Sequence, residues 1–163
     1  MFKDIQTIMS PASIAVVGAT NRPGSVGLAV FRNILEAGFR GVLYPVNPRA
    51  RSVRSVKAYP SLQEIPDEVD LAVIIVPAEI VDEILEQAAL KGVRGAIVIT
   101  AGFKEVGGRG VELEERLKEV VNKYGIRLVG PNCLGIINNS EEVRMNASFA
   151  PKMPKAGNIA FIS

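Results

Sequence analysis

The chain reads as an α/β protein: a doubly wound, Rossmann-like, mostly parallel sheet of five to six strands with helices on both faces. Three observations carry this reading. Strand and helix signals alternate along the sequence with short connections, which is the mark of βαβ units with right-handed crossovers. The run Leu71-Ala72-Val73-Ile74-Ile75-Val76 lacks the polar alternation of a half-exposed strand, so it belongs to a sheet covered on both faces. A glycine-rich turn also joins the first strand to the first long helix pattern.

Ser13-Ile14-Ala15-Val16-Val17 reads as a buried strand. The turn Gly18-Ala19-Thr20-Asn21-Arg22-Pro23-Gly24 follows, and Ser25-Val26-Gly27 opens a helix over about 25–37 that Gly38 stops. The second strand spans 41–47, and Pro45 inside it implies a strand end or an irregular neighbour. The third spans 69–76 and stops at Pro77. A helix is expected over 78–91, with Ile80, Ile84, Leu85 and Ala88 on one stripe and Gly92 as its stop. Residues 95–100 form the fourth strand. The loop 102–110 leads to a helix at about 111–124 with Leu113, Leu117, Val120 and Val121 inward; Gly125 caps it, and 126–129 is the fifth strand. The stretch Gly157-Asn158-Ile159-Ala160-Phe161-Ile162-Ser163 begins a further apolar strand. It is either a sixth strand of this sheet or the first strand of a truncated second domain. The organisation expected is therefore a domain over 1–150, then a linker and the start of a strand over 151–163.

Composition excludes several function classes. At 163 residues the chain is one ordinary domain, and 48% hydrophobic with 22% charged residues describes a soluble globular protein. A net charge of +2 is too small for general nucleic-acid binding. No apolar run reaches the roughly 18 residues of a membrane span, and no signal peptide is present. One cysteine, Cys133, rules out an internal disulfide and fits the cytoplasm. The chain has no histidine, which removes imidazole-dependent triads and most transition-metal sites. No catalytic or metal-binding residue is assigned.

The first strand, its turn and the helix start make a place for phosphates, because free amides and the positive end of the helix dipole point there. Five residues separate Gly18 from Gly24, against one between the first two glycines of the dinucleotide fingerprint; Gly24-x-x-Gly27 keeps the expected second spacing. The longer loop suits a nucleotide whose pyrophosphate lies differently from that of NAD. Ligands of open α/β sheets bind at the carboxyl ends of the strands. The residues there are Gly18, Thr20, Asn47, Pro48, Pro77, Ala78, Thr100, Ala101, Gly102 and the run Gly130-Pro131-Asn132-Cys133. Each alone is a good turn residue; five such exits together favour a cleft. NAD-binding units place an acidic residue after the second strand. This chain has Asn47-Pro48-Arg49-Ala50-Arg51, then Arg54 and Lys57. Either a solvated basic loop or a site for an extra ribose phosphate, as in coenzyme A or NADP, would read this way. Cys133 lacks an imidazole to activate it and reads as a small buried turn residue. The Glu112/Glu114/Glu115 and Asp82/Glu83/Glu86 groups read as solvent faces of their helices.

Several motifs in order resemble one family. They are Gly24-Ser25-Val26-Gly27, Tyr44-Pro45-Val46-Asn47-Pro48, Ala58-Tyr59-Pro60-Ser61, Val76-Pro77-Ala78 and Thr100-Ala101-Gly102-Phe103, followed by Gly130-Pro131-Asn132-Cys133-Leu134-Gly135, Met145-Asn146-Ala147-Ser148-Phe149-Ala150 and the final apolar stretch. Together they look like the coenzyme-A-binding domain of NDP-forming acyl-CoA ligases. The likeness is greatest to the α subunit of ADP-forming acetate–CoA ligases and more distant to that of succinyl-CoA synthetase. The resemblance implies a reaction joining an acid, coenzyme A and a nucleoside phosphate through an acyl phosphate and a phosphohistidine, with an ATP-grasp β subunit as partner. It places Gly24, Ser25 and Val26 on the pyrophosphate turn and Thr100 and Ala101 at a strand exit facing the cofactor. The family's cofactor-contacting lysine after strand two aligns with Ala50, so its role passes to Arg49 or Arg51. The phosphorylated histidine has no counterpart, so the chain alone is expected to be inactive. The cofactor-binding set is then Gly18, Thr20, Gly24, Ser25, Val26, Gly27, Asn47, Pro48, Arg49, Arg51, Pro77, Thr100, Ala101 and Asn132. Two other readings stay open: a stand-alone coenzyme-A-binding regulatory module, and an NADP-binding reductase or redox sensor.

Overall fold

A computed structural model describes residues 3–162. Its centre is a five-stranded sheet formed by β1 (Ser13–Val17), β2 (Val42–Val46), β5 (Leu71–Ile74), β6 (Gly95–Val98) and β7 (Arg127–Val129). The order is β2-β1-β5-β6-β7, every pair parallel. Chain order therefore reverses between β1 and β5, and that switch point is where a doubly wound sheet opens a crevice. Two short antiparallel pairs complete the strands: β3 (Ser52–Val53) with β4 (Val56–Lys57), and β8 (Gly135–Asn138) with β9 (Met145–Ser148).

Alternation along β1 splits the core in two. Ala15 and Val17 join Val81, Leu85, Leu113 and Leu117 on the face covered by α3 (Val81–Leu90) and α4 (Arg109–Tyr124). Ile14 and Val16 join Val30, Phe31, Ile34, Met145 and Ala147 on the face covered by α2 (Val26–Ala37), with α1 (Lys3–Met9) alongside. All five β1 residues are buried, as both-face coverage requires. Pro45 sits in an edge strand. Its carbonyl accepts from Tyr59 N at 2.9 Å on the side away from β1, so the missing N–H costs no ladder bond.

Several expectations are corrected. The 78–91 helix begins with a separate 3-10 turn, Ala78–Ile80. That shifts the buried stripe of α3 to Val81, Leu85 and Ala88, leaving Ile80 exposed. Helix α4 starts at Arg109, and Glu114 on it is buried beneath Lys104 (3.3 Å) and Lys118 (3.4 Å), not on the solvent face. Asp82 pairs with Arg116, and Glu86 with Lys123 (2.9 Å) and Tyr124 (2.7 Å), so these carboxylates tie α3 to α4. Residues 157–162 pair with no strand of the sheet; Ile159, Phe161 and Ile162 are exposed. Ser163 of that stretch lies outside the described residues, as do Met1 and Phe2. No helix among the described residues is long and apolar enough to cross a membrane.

Candidate functional site

The loop from Gly18 to Ser25 lies at the switch point and runs into α2. Thr20 Oγ1 accepts from Arg22 N (3.2 Å), which folds the loop on itself. Ser25 is the N-cap: its hydroxyl accepts from Leu28 N (3.3 Å) and donates to Arg22 O (2.7 Å), and its carbonyl accepts from Ala29 N (3.1 Å). This leaves the Val26 and Gly27 amides, the first two of the helix, without an acceptor among the described residues. No acidic residue occupies the first turn, so the positive end of the helix dipole is uncompensated. Gly27 is required by packing, since a Cβ there would stand 2.2 Å from Gly18 O. Gly24 is required by conformation, with φ +74° and open space where a Cβ would go.

The exit of β2 contains two kinds of residue. Asn47 is committed internally: its amide donates to Ala19 O (2.8 Å) and its carbonyl oxygen accepts from Arg49 N (2.9 Å). It fixes the β1 and β2 exits to each other. Pro48, Arg49 and Arg51 are exposed, and neither arginine forms an ion pair among the described residues. The basic run does not act as one cluster. Arg54 pairs with Glu36 at 3.5 Å, and Lys57 lies over the Tyr59 ring at 5.2 Å. Asn21 joins the two loops, donating to Ser52 O (2.9 Å) and accepting from Arg54 N (3.0 Å).

Two contiguous hollows open beside the helix start. The larger, about 450 Å³, is floored by Ile75, Ile99, Thr100 and Ala101 at the β5 and β6 exits. Asn132, Cys133 and Leu134 after β7 form its far wall. Thr100 Oγ1 donates to Val76 O (2.7 Å) and keeps its lone pairs for a further donor. Asn132, held at φ +53°, donates its backbone N–H to Thr100 O (2.9 Å). Burial pushes the Cys133 thiol above its ordinary pKa, and its sulfur lies 3.4 Å from Val98 O, so it is a packed turn residue rather than a thiolate. The smaller hollow, about 260 Å³, is lined by Gly24, Ser25, Leu28, Ala29 and Arg32. Val26 and Phe149 border both.

Of the residues expected from sequence, Gly24, Ser25, Val26, Thr100, Ala101 and Asn132 meet at these hollows. Gly18, Thr20 and Gly27 shape the turn behind them. Asn47, Pro48, Arg49, Arg51 and Pro77 stand at neighbouring strand exits without lining either hollow. Sequence reading missed Ile75, Ile99, Leu134, Arg32 and Phe149. Ile75 and Ile99 were findable as the last apolar positions of their strands; Phe149 stood within a family motif, but its place at the cleft depends on β9, which it directly follows. No carboxylate lines either hollow. Free helix-start amides, a loop that lets backbone approach, unpaired arginines nearby and an apolar trough suit an elongated ligand with an anionic middle. These donors fit coenzyme A.

Comparison with known proteins agrees with that geometry. The model of the family described as "CoA binding domain" matches residues 12–139. Acetate–CoA ligase [ADP-forming] II subunit alpha from Pyrococcus furiosus is 48% identical over 154 residues, covering 94% of this chain and 33% of that protein. The 4-hydroxybutyrate–CoA ligase [ADP-forming] of Nitrosopumilus maritimus is 43% identical over 156 residues, covering 96% of this chain and 22% of the relative. Among solved structures, the dinucleotide-forming acetyl-coenzyme A synthetase 1 of Ca. Korarchaeum cryptofilum, in complex with phosphate and ADP, superposes with a TM-score of 0.89 at 42% identity. It covers 94% of this chain and 32% of that one. The chain thus spans between about a fifth and a third of the length of these relatives. On the family match, which takes in most of its length, this chain belongs to the CoA binding domain family.

Proposed function

We propose that the chain holds coenzyme A as the cofactor domain of an ADP-forming acid–CoA ligase, and that it performs no chemistry alone. The observation that carries this is the start of α2, where the Val26 and Gly27 amides have no acceptor among the described residues and Val26 borders both the Gly24 turn and an apolar trough. In this reading the pyrophosphate lies on that helix start, where amides and dipole favour negative charge. Thr20, Gly18 and Gly27 hold the turn in shape, and Asn47 with Pro48 and Pro77 sets the neighbouring exits. Arg49 and Arg51 meet the 3′-phosphate. The pantetheine arm follows the β5 and β6 exits toward Thr100, Ala101 and Asn132. Coenzyme A supplies the thiol that becomes acylated; this chain's own residues bind and orient it.

Residues 1–150 form the binding unit, and 151–163 lead out of it. The phosphoryl-carrying imidazole belongs to another part of the ligase, because this chain has no histidine and a nucleophilic imidazole is what the family's reaction uses. An ATP-grasp β subunit is the natural partner, and the cytoplasm the natural compartment for a chain with one thiol and, among the described residues, no helix long and apolar enough to cross a membrane. The acid is not read from this domain, since relatives named for acetate and for 4-hydroxybutyrate match it alike.

The test is turnover. The purified chain with acetate, ATP, magnesium and coenzyme A should yield no acetyl-CoA above background. The same chain joined to the remaining ligase domains should turn over. Acyl-CoA formed by the chain alone would overturn the reading.

A further inference from the structure

Exposed large apolar side chains are expensive unless something covers them, and three gather on one cleft: Val26 (40% exposed), Leu134 (52%) and Phe149 (41%). Phe149 is held there by a purpose-built clamp. Asn33, buried in α2, donates one bond of 2.8 Å to Ser148 O and another of 2.8 Å to Ala150 O, the carbonyls on either side of Phe149. Ser148 Oγ donates to Asn146 Oδ1 (2.6 Å) and accepts from Ala150 N (3.2 Å), which closes the turn. A buried amide with two well-formed bonds fixes the backbone while Phe149 itself stays partly exposed at the cleft.

We propose that Phe149 is a specificity residue that packs against the pantetheine arm of coenzyme A, and that Asn33 is the positioning residue that holds it there. This rests on the coenzyme A reading above. The phosphate-side hollow and the apolar trough meet only at Val26 and Phe149. A ligand with its pyrophosphate at the start of α2 therefore passes the ring as it enters the trough. The part of coenzyme A beyond the pyrophosphate begins with a gem-dimethyl carbon and continues through methylenes and amides. An aromatic face takes the apolar carbons, and Thr100 and Asn132 lie further along for the amides. The adenosine half runs the other way, toward the β2 exit, and does not meet Phe149.

The experiment compares coenzyme A with 3′-phospho-ADP, which is the same molecule without its pantetheine arm. Titration calorimetry on the 163-residue chain should show Phe149→Ala weakening coenzyme A about tenfold, the scale of one aromatic contact, with 3′-phospho-ADP unchanged within about twofold. Phe149→Leu, which keeps an apolar side chain, should recover most of the loss. Asn33→Ala should lower the same ratio of affinities, and the double variant should lower it no further than Phe149→Ala does. Equal losses for both ligands, or none for either, in a wild-type background that binds both would remove Phe149 from the site. Additive effects of the two substitutions would remove Asn33 as its positioner. A wild-type chain that binds neither ligand would overturn the coenzyme A reading itself, and this assignment with it.

Discussion

Gly24 offers a way to separate binding from folding. Its φ of +74° is one that L side chains adopt at a cost, while the space a Cβ would occupy is open. Gly24→Ala therefore meets no clash. The backbone cost is about 1–2 kcal/mol, which for a domain of this size lowers Tm by roughly 2–8 °C. Gly24 lines the smaller hollow together with Ser25 and Val26, so an added methyl group would crowd a pyrophosphate bound at the helix start. Loss of one or two hydrogen bonds to a charged group weakens coenzyme A by about 1–3 kcal/mol, or roughly five- to 150-fold. Calorimetry at fixed salt, alongside thermal melting, reads both quantities on one preparation. Full coenzyme A affinity in a variant showing the expected loss of stability would refute the reasoning, because the phosphates would then lie away from this turn.

Replacing Arg49 and Arg51 together with Ala should weaken coenzyme A more than its 3′-dephospho form; equal weakening would show that neither arginine reads that phosphate. Arg54→Ala, which removes a residue already paired with Glu36, should leave the ratio of the two ligands unchanged. Gly27→Ala is a folding lesion, since its Cβ would stand 2.2 Å from Gly18 O; an overpacking loss of about 1–3 kcal/mol should appear in denaturant titration, and a neutral result would contradict the packing. Glu105 accepts from the Gly102 amide (2.6 Å) and the Phe103 amide (3.2 Å), and these bonds, Gly102 foremost, hold its carboxyl below the ordinary 4.5. A lowered folded pKa gives stability that is present above pH 4.5 and lost as pH falls through the lowered value. The Tm gap between wild type and Glu105→Ala should therefore be full at neutral pH and close in acid; parallel pH curves would refute the assignment.

The parallel sheet was legible because its signal is local. Strands buried on both faces must be apolar at every position, as Ser13–Val17 and Leu71–Ile74 nearly are. The strand exits followed directly, and with them Gly24, Ser25, Val26, Thr100 and Asn132. What escaped depends on distant partners. Met145–Ser148 contains buried Asn146 and Ser148, which look like loop residues until each is seen to satisfy the other. Its pairing with Gly135–Asn138 is what brings Phe149 to the cleft. Glu114 looked exposed because carboxylates usually are; Lys104 and Lys118 make its burial tolerable. The basic run after β2 looked uniform, yet Glu36, distant in sequence, takes Arg54 out of it.

The central claim is that the helix-start cradle and its trough hold coenzyme A rather than a nicotinamide dinucleotide. Calorimetric titration of the chain with coenzyme A, NADPH and NADH at one salt concentration tests it most directly. Coenzyme A should bind more tightly than either dinucleotide, because no carboxylate lines the hollows and the trough suits a pantetheine arm. NADPH binding as tightly as coenzyme A, or more tightly, would contradict it.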